Sequence, residues 1–68
     1  IYDKALKNHL DAFRVRETFH DEHGMCASYN NIGSVYMASG EYKEAVSWLE
    51  KGLILASQQD DKQIKKDI

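Results

Sequence analysis

Apolar side chains recur at steps of three and four along most of the chain, which is the spacing of one face of an α-helix. No stretch alternates apolar and polar residues over the length of a β-strand. The stripes lie within residues 1–19, 22–39 and 41–58. In chain order they consist of Tyr2, Ala5, Leu6, His9, Ala12 and Phe13; Tyr29, Ile32, Gly33 and Tyr36; and Tyr42, Ala45, Val46, Leu49, Gly52, Leu53 and Ala56. This pattern predicts an all-α fold.

Short polar segments between the stripes predict tight turns. Asp21 can cap the second helix, because its side-chain oxygen can accept a hydrogen bond from a free backbone N–H. Gly40 follows the second helix, where glycine adopts the left-handed conformation without a Cβ clash. Asp60 and Gln63 have the spacing of a capping box, which predicts a further helix over 61–68. Connections this short make consecutive helices antiparallel neighbours.

The sequence also contains an internal repeat. After a shift of forty residues, Tyr2 aligns with Tyr42 and Phe13 with Leu53. Both ends lie inside helical patterns, so we expect a section of a longer chain. Each repeat unit consists of two helices, called A and B in chain order. The expected parts are helix B of one repeat over 1–19, a complete repeat with helix A over 22–39 and helix B over 41–58, and the start of a following helix A over 61–68.

The middle of the chain resembles a tetratricopeptide repeat. That family pairs a helix A of the pattern aromatic-x-x-Leu-Gly-x-x-Tyr with a Gly-x-Tyr turn and a helix B of small and large apolar residues. The matching positions are Tyr29, Ile32, Gly33, Tyr36, Gly40, Tyr42, Ala45, Leu49 and Gly52. The resemblance implies antiparallel helix pairs stacked as a right-handed superhelical solenoid, of which this chain would form about one and a half repeats.

Two departures from the common pattern resemble the long-helix variant of the family. Ser57 stands where the family usually has proline, and the period is near forty residues rather than about thirty-four. With the Asn30-Asn31 pair, these features are similar to the repeats of kinesin light chains, spindle-orientation adaptors and bacterial repeat-containing regulators.

The repeat pattern carries packing expectations. Gly33 and Ala45 should lie where two helices approach closely, since only a small side chain fits there. Trp48 lies beside the core face of its helix, and we favour packing over a role as an anchor for a partner. Three tyrosines should fill the wedge between consecutive helices: Tyr29, Tyr36 and Tyr42.

Composition narrows the possible partners and compartment. The 68 residues carry a formal net charge of −2, which disfavours nucleic acid because phosphate binding needs a basic face. The longest apolar run, residues 53–56, is too short to span a membrane. The single Cys26 cannot form an internal disulfide, so a reducing, cytoplasmic setting fits best.

No set of residues with catalytic spacing is present, so the sequence predicts no enzyme, no cofactor and no metal site. Cys26 lies near the start of helix A, where the helix dipole could lower its pKa, but a thiol without a role is favoured. His20, Asp21, Glu22 and His23 form the one cluster that looks like metal ligands. A solvated turn with an aspartate cap is the favoured interpretation, because no second ligand group has a matching spacing.

Helix A carries a second stripe beside its core face, small, polar and uncharged, unlike an ordinary exposed helix surface. In the resembled family, helix A residues line a concave groove that receives a peptide or a partner helix. The asparagines match those that hydrogen-bond ligand backbone in long-repeat members. The expected groove residues, called the groove face below, are Ala27, Asn30, Asn31, Ser34, Met37 and Ala38. The alternative is that this stripe packs against an adjacent repeat.

The preferred function is therefore a non-catalytic scaffold that binds a protein or peptide in the groove, in contact with neighbouring repeats or with itself. One alternative is the sensor section of a bacterial signalling or transcription regulator, which a flanking kinase or DNA-binding domain would favour. Another is a structural spacer in a large assembly. Replacing Asn30 and Asn31 with alanine would leave the partners of a spacer bound.

Overall fold

A computed structural model describes the backbone of residues 2–67 and the side chains of residues 2–60. It contains three α-helices, α1 (Tyr2–Thr18), α2 (Glu22–Ala38) and α3 (Tyr42–Asp67), with no strand among the described residues. The central α2 packs against both neighbours. It runs antiparallel to α3, because Cys26 near its start meets Gln59 and Gly33 further along meets Leu49. The all-α prediction is confirmed.

The same backbone motif ends α1 and α2. His20 (φ 56°) and Gly40 (φ 84°) are left-handed residues that follow the helices and reverse the chain. Such a residue lets its own N–H group and that of the following residue bond back to carbonyls of the last helical turn, as in a Schellman motif. In the bonds that span five residues, the Asp21 N–H donates to the Arg16 carbonyl over 2.8 Å and the Glu41 N–H donates to the Tyr36 carbonyl over 2.9 Å.

The predicted cap of α2 is confirmed. The Asp21 Oδ1 atom accepts a hydrogen bond from the Gly24 N–H over 3.0 Å, and the Asp21 carbonyl accepts the N–H of Met25 over 2.8 Å. One residue therefore closes α1 and caps α2, which explains why the connection is so short.

The third helix differs from the sequence prediction. A new helix was expected over 61–68, but α3 is a single helix of 26 residues that runs through Asp60 to Asp67. The ends of α1 and α2 each have a left-handed residue, whereas no glycine, asparagine or proline lies between Ala56 and Asp67. Extending an existing helix costs little compared with nucleating a new one. The Gln63 side chain of the expected capping box lies outside the described residues, and the assignment of helices to repeats stays a prediction.

Three aromatic rings, one from each helix, form the centre of the fold. Phe13 of α1 lies 5.0 Å from Tyr29 of α2 and 5.7 Å from Trp48 of α3, between ring centroids. Tyr29 and Trp48 are 5.8 Å apart. The tilted and edge-on arrangements are those that aromatic pairs prefer. The prediction that Trp48 packs is confirmed, and its ring joins α1 to α3 across α2.

Small residues let α2 and α3 approach closely beside this cluster. Ile32 and Ala45 have no exposed surface. A Cβ atom on Gly33 would lie 2.6 Å from Leu49 Cγ and 3.3 Å from the Ala45 carbonyl oxygen. Gly52 is also buried, and a Cβ atom there would lie 3.0 Å from Tyr29 Cβ.

Tyr42 does not fill the wedge between helices. Tyr29 and Tyr36 are half-buried, but the Tyr42 side chain is 62% exposed. Tyr42 lies at the first position of α3, on the flank of that helix that α2 does not cover. The motif predicted a tyrosine at the start of the helix after the turn, which is where Tyr42 lies, but its burial would need an element that the described residues do not provide.

Candidate functional site: one face of the second helix

The groove face is exposed along the length of α2. All six of its residues have exposed side chains, including Met37, which is 42% exposed. At 100° per residue their positions fall within one sector, opposite the side of α2 that carries Ile32 and Tyr36. The stripe that the sequence predicted is thus one continuous surface in this structure.

Two amides on this face are available to a ligand. No hydrogen bond joins the side chain of Asn30 or Asn31 to the described part of the chain, and both are exposed. A primary amide offers two N–H donors and an acceptor oxygen, which match the carbonyl and N–H of a peptide backbone. The Ser34 hydroxyl differs, because it donates to the Asn30 carbonyl over 2.8 Å.

Asn30 lies on the α3 side of the groove face. A Cβ atom on Gly52 would lie 3.4 Å from Asn30 Oδ1, so the absence of a side chain at Gly52 leaves room for the amide beside α3. Asn31 is one position around α2, a turn of 100° toward the α1 side. The pair therefore covers both sides of the exposed sector.

The opposite, buried side of α2 holds a polar contact that the sequence did not predict. The Arg16 Nη1 group donates to Ser28 Oγ over 2.7 Å and to the Gly24 carbonyl over 3.1 Å. Ser28 is 1% exposed, so its hydroxyl needs this partner. The signal available in the sequence was a serine four residues before Ile32, on the core face of a helix.

The nine positions of the repeat signature differ in how far they are buried. Ile32, Gly33, Ala45 and Gly52 are buried, Tyr29, Tyr36 and Leu49 are half-buried, and Gly40 and Tyr42 are exposed. These residues support α2 and α3, and the groove face lies outside them.

Cys26 is not an activated thiol. Its side chain is half-buried, and its Sγ–H donates to Gln59 Oε1 over 3.6 Å. Burial raises the pKa of the Cys26 thiol, and the nearby Glu22 carboxylate raises it further. The opposite shift, which the helix dipole could have produced, is not found, so the thiol stays protonated at neutral pH.

The histidine-rich turn does not gather ligands. Among the residues that the structure describes, no three His, Cys, Asp or Glu side chains come together as a group that could hold a metal ion. Asp21 instead caps α2, and His20 forms the left-handed turn.

Consecutive antiparallel helices joined by equivalent tight turns are the arrangement found in helical-repeat proteins. The sequence model of the tetratricopeptide repeat family matches residues 2–62. The chain belongs to that family, whose repeats are interaction modules and typically carry no catalysis. No curated protein and no solved structure matches the chain. Within the described residues, no helix has both the length and the apolar character needed to cross a membrane.

Proposed function

We propose that the chain is a non-catalytic scaffold that binds an extended peptide or a partner helix on the groove face of α2, and that it works in the cytoplasm, as its single free thiol suggests. The observation that carries the binding role is a pair of exposed side-chain amides, Asn30 and Asn31, which form no hydrogen bond with the described part of the chain and lie on an uncharged surface. Ala27, Ser34 and Ala38 around them are small, so a ligand backbone can come close to the helix. Membership of the repeat family supports an interaction role in general.

The chemistry of the groove face favours recognition of a peptide main chain over recognition of charged groups on a ligand. None of its residues is charged, so it offers no cation for a ligand carboxylate and no cluster of bases for nucleic acid. Two amides can each hold one peptide unit, while Met37 supplies an adaptable apolar contact. The ligand class is therefore an uncharged, extended segment with small or apolar side chains.

The test is a selection of short peptides from a random library on the immobilised chain, followed by titration calorimetry of the selected sequences. Asn30→Ala/Asn31→Ala should weaken binding about 5- to 150-fold, because each of two lost hydrogen bonds contributes about 0.5–1.5 kcal/mol. Asn8→Ala is the matched control, since Asn8 is an exposed asparagine on α1. Circular dichroism should show that both variants keep their helical content.

Three other outcomes are informative. Peptides that bind the double variant as tightly as the wild-type chain would contradict binding through the amides. The structural spacer would be favoured if the selection yielded no peptide and the double variant still bound the partners of the wild-type chain. The regulatory alternative would be favoured if bound peptide changed the activity of a signalling or DNA-binding domain joined to this section.

A further inference from the structure

The uncovered flank of α3 carries a row of exposed apolar side chains. Tyr42, Val46 and Leu53 are 62%, 47% and 69% exposed, and the half-buried Leu49 lies between them. Their spacing of four, three and four residues keeps all of them on one side of the helix. We call these four residues the α3 flank. It is separate from the groove face, which lies on α2.

The internal repeat shows what covers such a flank elsewhere in this chain. At the shift of forty residues, Leu53 corresponds to Phe13 of α1. Phe13 is only 9% exposed, because the antiparallel α2 packs over it and Tyr29 contacts its ring. The equivalent position on α3 has no such helix over it within the described residues. An antiparallel helix is thus the kind of element that fits the flank.

We propose that this chain self-associates through the α3 flank, as an antiparallel pair of α3 helices from two copies. With the twofold axis midway between Val46 and Leu49, Tyr42 of one copy lies opposite Leu53 of the other. Val46 then lies opposite Leu49. Each apolar side chain finds an apolar partner, which is the pattern of an isologous interface.

Charge complementarity supports the same register. Lys43 and Glu50 are exposed at the outer edge of the flank, seven residues apart. The ion pairs in the described part of the chain join Lys7 and Arg14 to Asp11, so neither Lys43 nor Glu50 belongs to one. In the antiparallel pair, Lys43 of one copy lies about 3 Å along the axis from Glu50 of the other, from the helical rise of about 1.5 Å per residue. Symmetry makes this contact twice.

The small apolar core of the described residues gives a reason for association. Phe13, Ile32 and Ala45 are the buried apolar residues among those described, and small helical units bury little surface alone. Covering the flank removes apolar surface from water on both copies. The patch is smaller than a standard interface, so we expect a dissociation constant between about 10 µM and 1 mM.

Sedimentation equilibrium of the chain from about 10 µM to about 1 mM tests the proposal. The mass should rise from that of the 7.8 kDa monomer toward twice that value. Leu53→Glu should weaken association at least tenfold. Ile54→Glu is the matched control, because Ile54 is 58% exposed on another side of α3, and it should associate like the wild-type chain. Circular dichroism establishes that both variants are folded.

A charge exchange tests the register independently of the apolar contacts. Lys43→Glu and Glu50→Lys should each weaken the dimer about three- to tenfold, and the double exchange should restore it, since both symmetric ion pairs re-form. A chain that stays monomeric over the whole range would overturn the proposal. Loss of association in Ile54→Glu but not in Leu53→Glu would also overturn it. Asn30→Ala/Asn31→Ala should dimerise normally, so failure of the peptide-binding proposal leaves this test intact.

Discussion

Replacing Gly33 with alanine adds a methyl group at the contact between α2 and α3. The new Cβ atom would lie 2.6 Å from Leu49 Cγ, 2.7 Å from Leu49 Cδ2 and 3.3 Å from the Ala45 carbonyl oxygen. Carbon atoms in favourable contact are about 3.5–4.0 Å apart, so the Leu49 side chain must move. Its Cγ atom is attached directly to Cβ, and moving it requires a change of rotamer or a shift of the helix.

Two opposing effects set the magnitude. Overpacking a filled site costs about 1–3 kcal/mol, while alanine favours a helix over glycine by about 1 kcal/mol. We therefore expect Gly33→Ala to lower the free energy of unfolding by about 1 kcal/mol. In a Leu49→Ala background the two closest atoms are gone, and only the 3.3 Å contact with the Ala45 carbonyl oxygen remains. The same change should then raise the free energy of unfolding by up to about 1 kcal/mol, because helix propensity now outweighs that remaining contact.

A double-mutant cycle measures this change of sign. The wild-type chain, both single variants and the double variant are unfolded with urea and followed by far-ultraviolet circular dichroism. A constant concentration of a protecting osmolyte keeps the weakest variant folded. The expected coupling energy between the two substitutions is up to about 2 kcal/mol. A coupling of that size is expected only for residues in direct contact. Stabilisation by Gly33→Ala in the wild-type background, or equal destabilisation in both backgrounds, would refute the packing argument.

Three further predictions concern the turns, the buried polar contact and the thiol. His20→Gly should raise the free energy of unfolding by about 1 kcal/mol, because a side chain in the left-handed region is strained; Gly40→Ala should lower it similarly, and urea titrations measure both. Ser28→Ala should cost about 1 kcal/mol by removing a hydrogen bond to the Arg16 guanidinium, and a melting temperature equal to that of the wild type would contradict that role. Because burial and then Glu22 raise the pKa of Cys26 above its ordinary value of 9.0, the folded state holds the thiol proton more tightly. The free energy of unfolding should therefore fall as the pH rises past the ordinary pKa of a thiol. Between about pH 8 and pH 10, Cys26→Ala should lose less melting temperature than the wild-type chain does.

Much of the candidate site could be predicted from the sequence because it lies on one regular helix. The spacing of Ala27, Asn30, Asn31 and Ser34 places them on a common face wherever that helix packs. Periodicity could not show which of their polar atoms are free. The Ser34 hydroxyl is bonded to a carbonyl of its own helix, whereas the two amides have no partner in the described chain.

The prediction was weakest where burial depends on a second element. Tyr42 satisfies the family pattern, yet it is exposed because no helix covers its side of α3 within the described residues. The Arg16–Ser28 contact was missed for the complementary reason. A polar pair on facing helices becomes visible only when the rotation of each helix is known.

By itself, the sequence determined the three helical segments, the aspartate that caps α2 and the glycine that ends it. These features depend on local hydrogen bonds and on backbone preferences within a few residues, so they can be read without knowing the fold. The tertiary structure alone decided that Phe13, Tyr29 and Trp48 meet across three helices and that Ser28 is buried against Arg16. Those outcomes depend on how distant helices are rotated and on which faces are covered, and neither is encoded in any single local pattern.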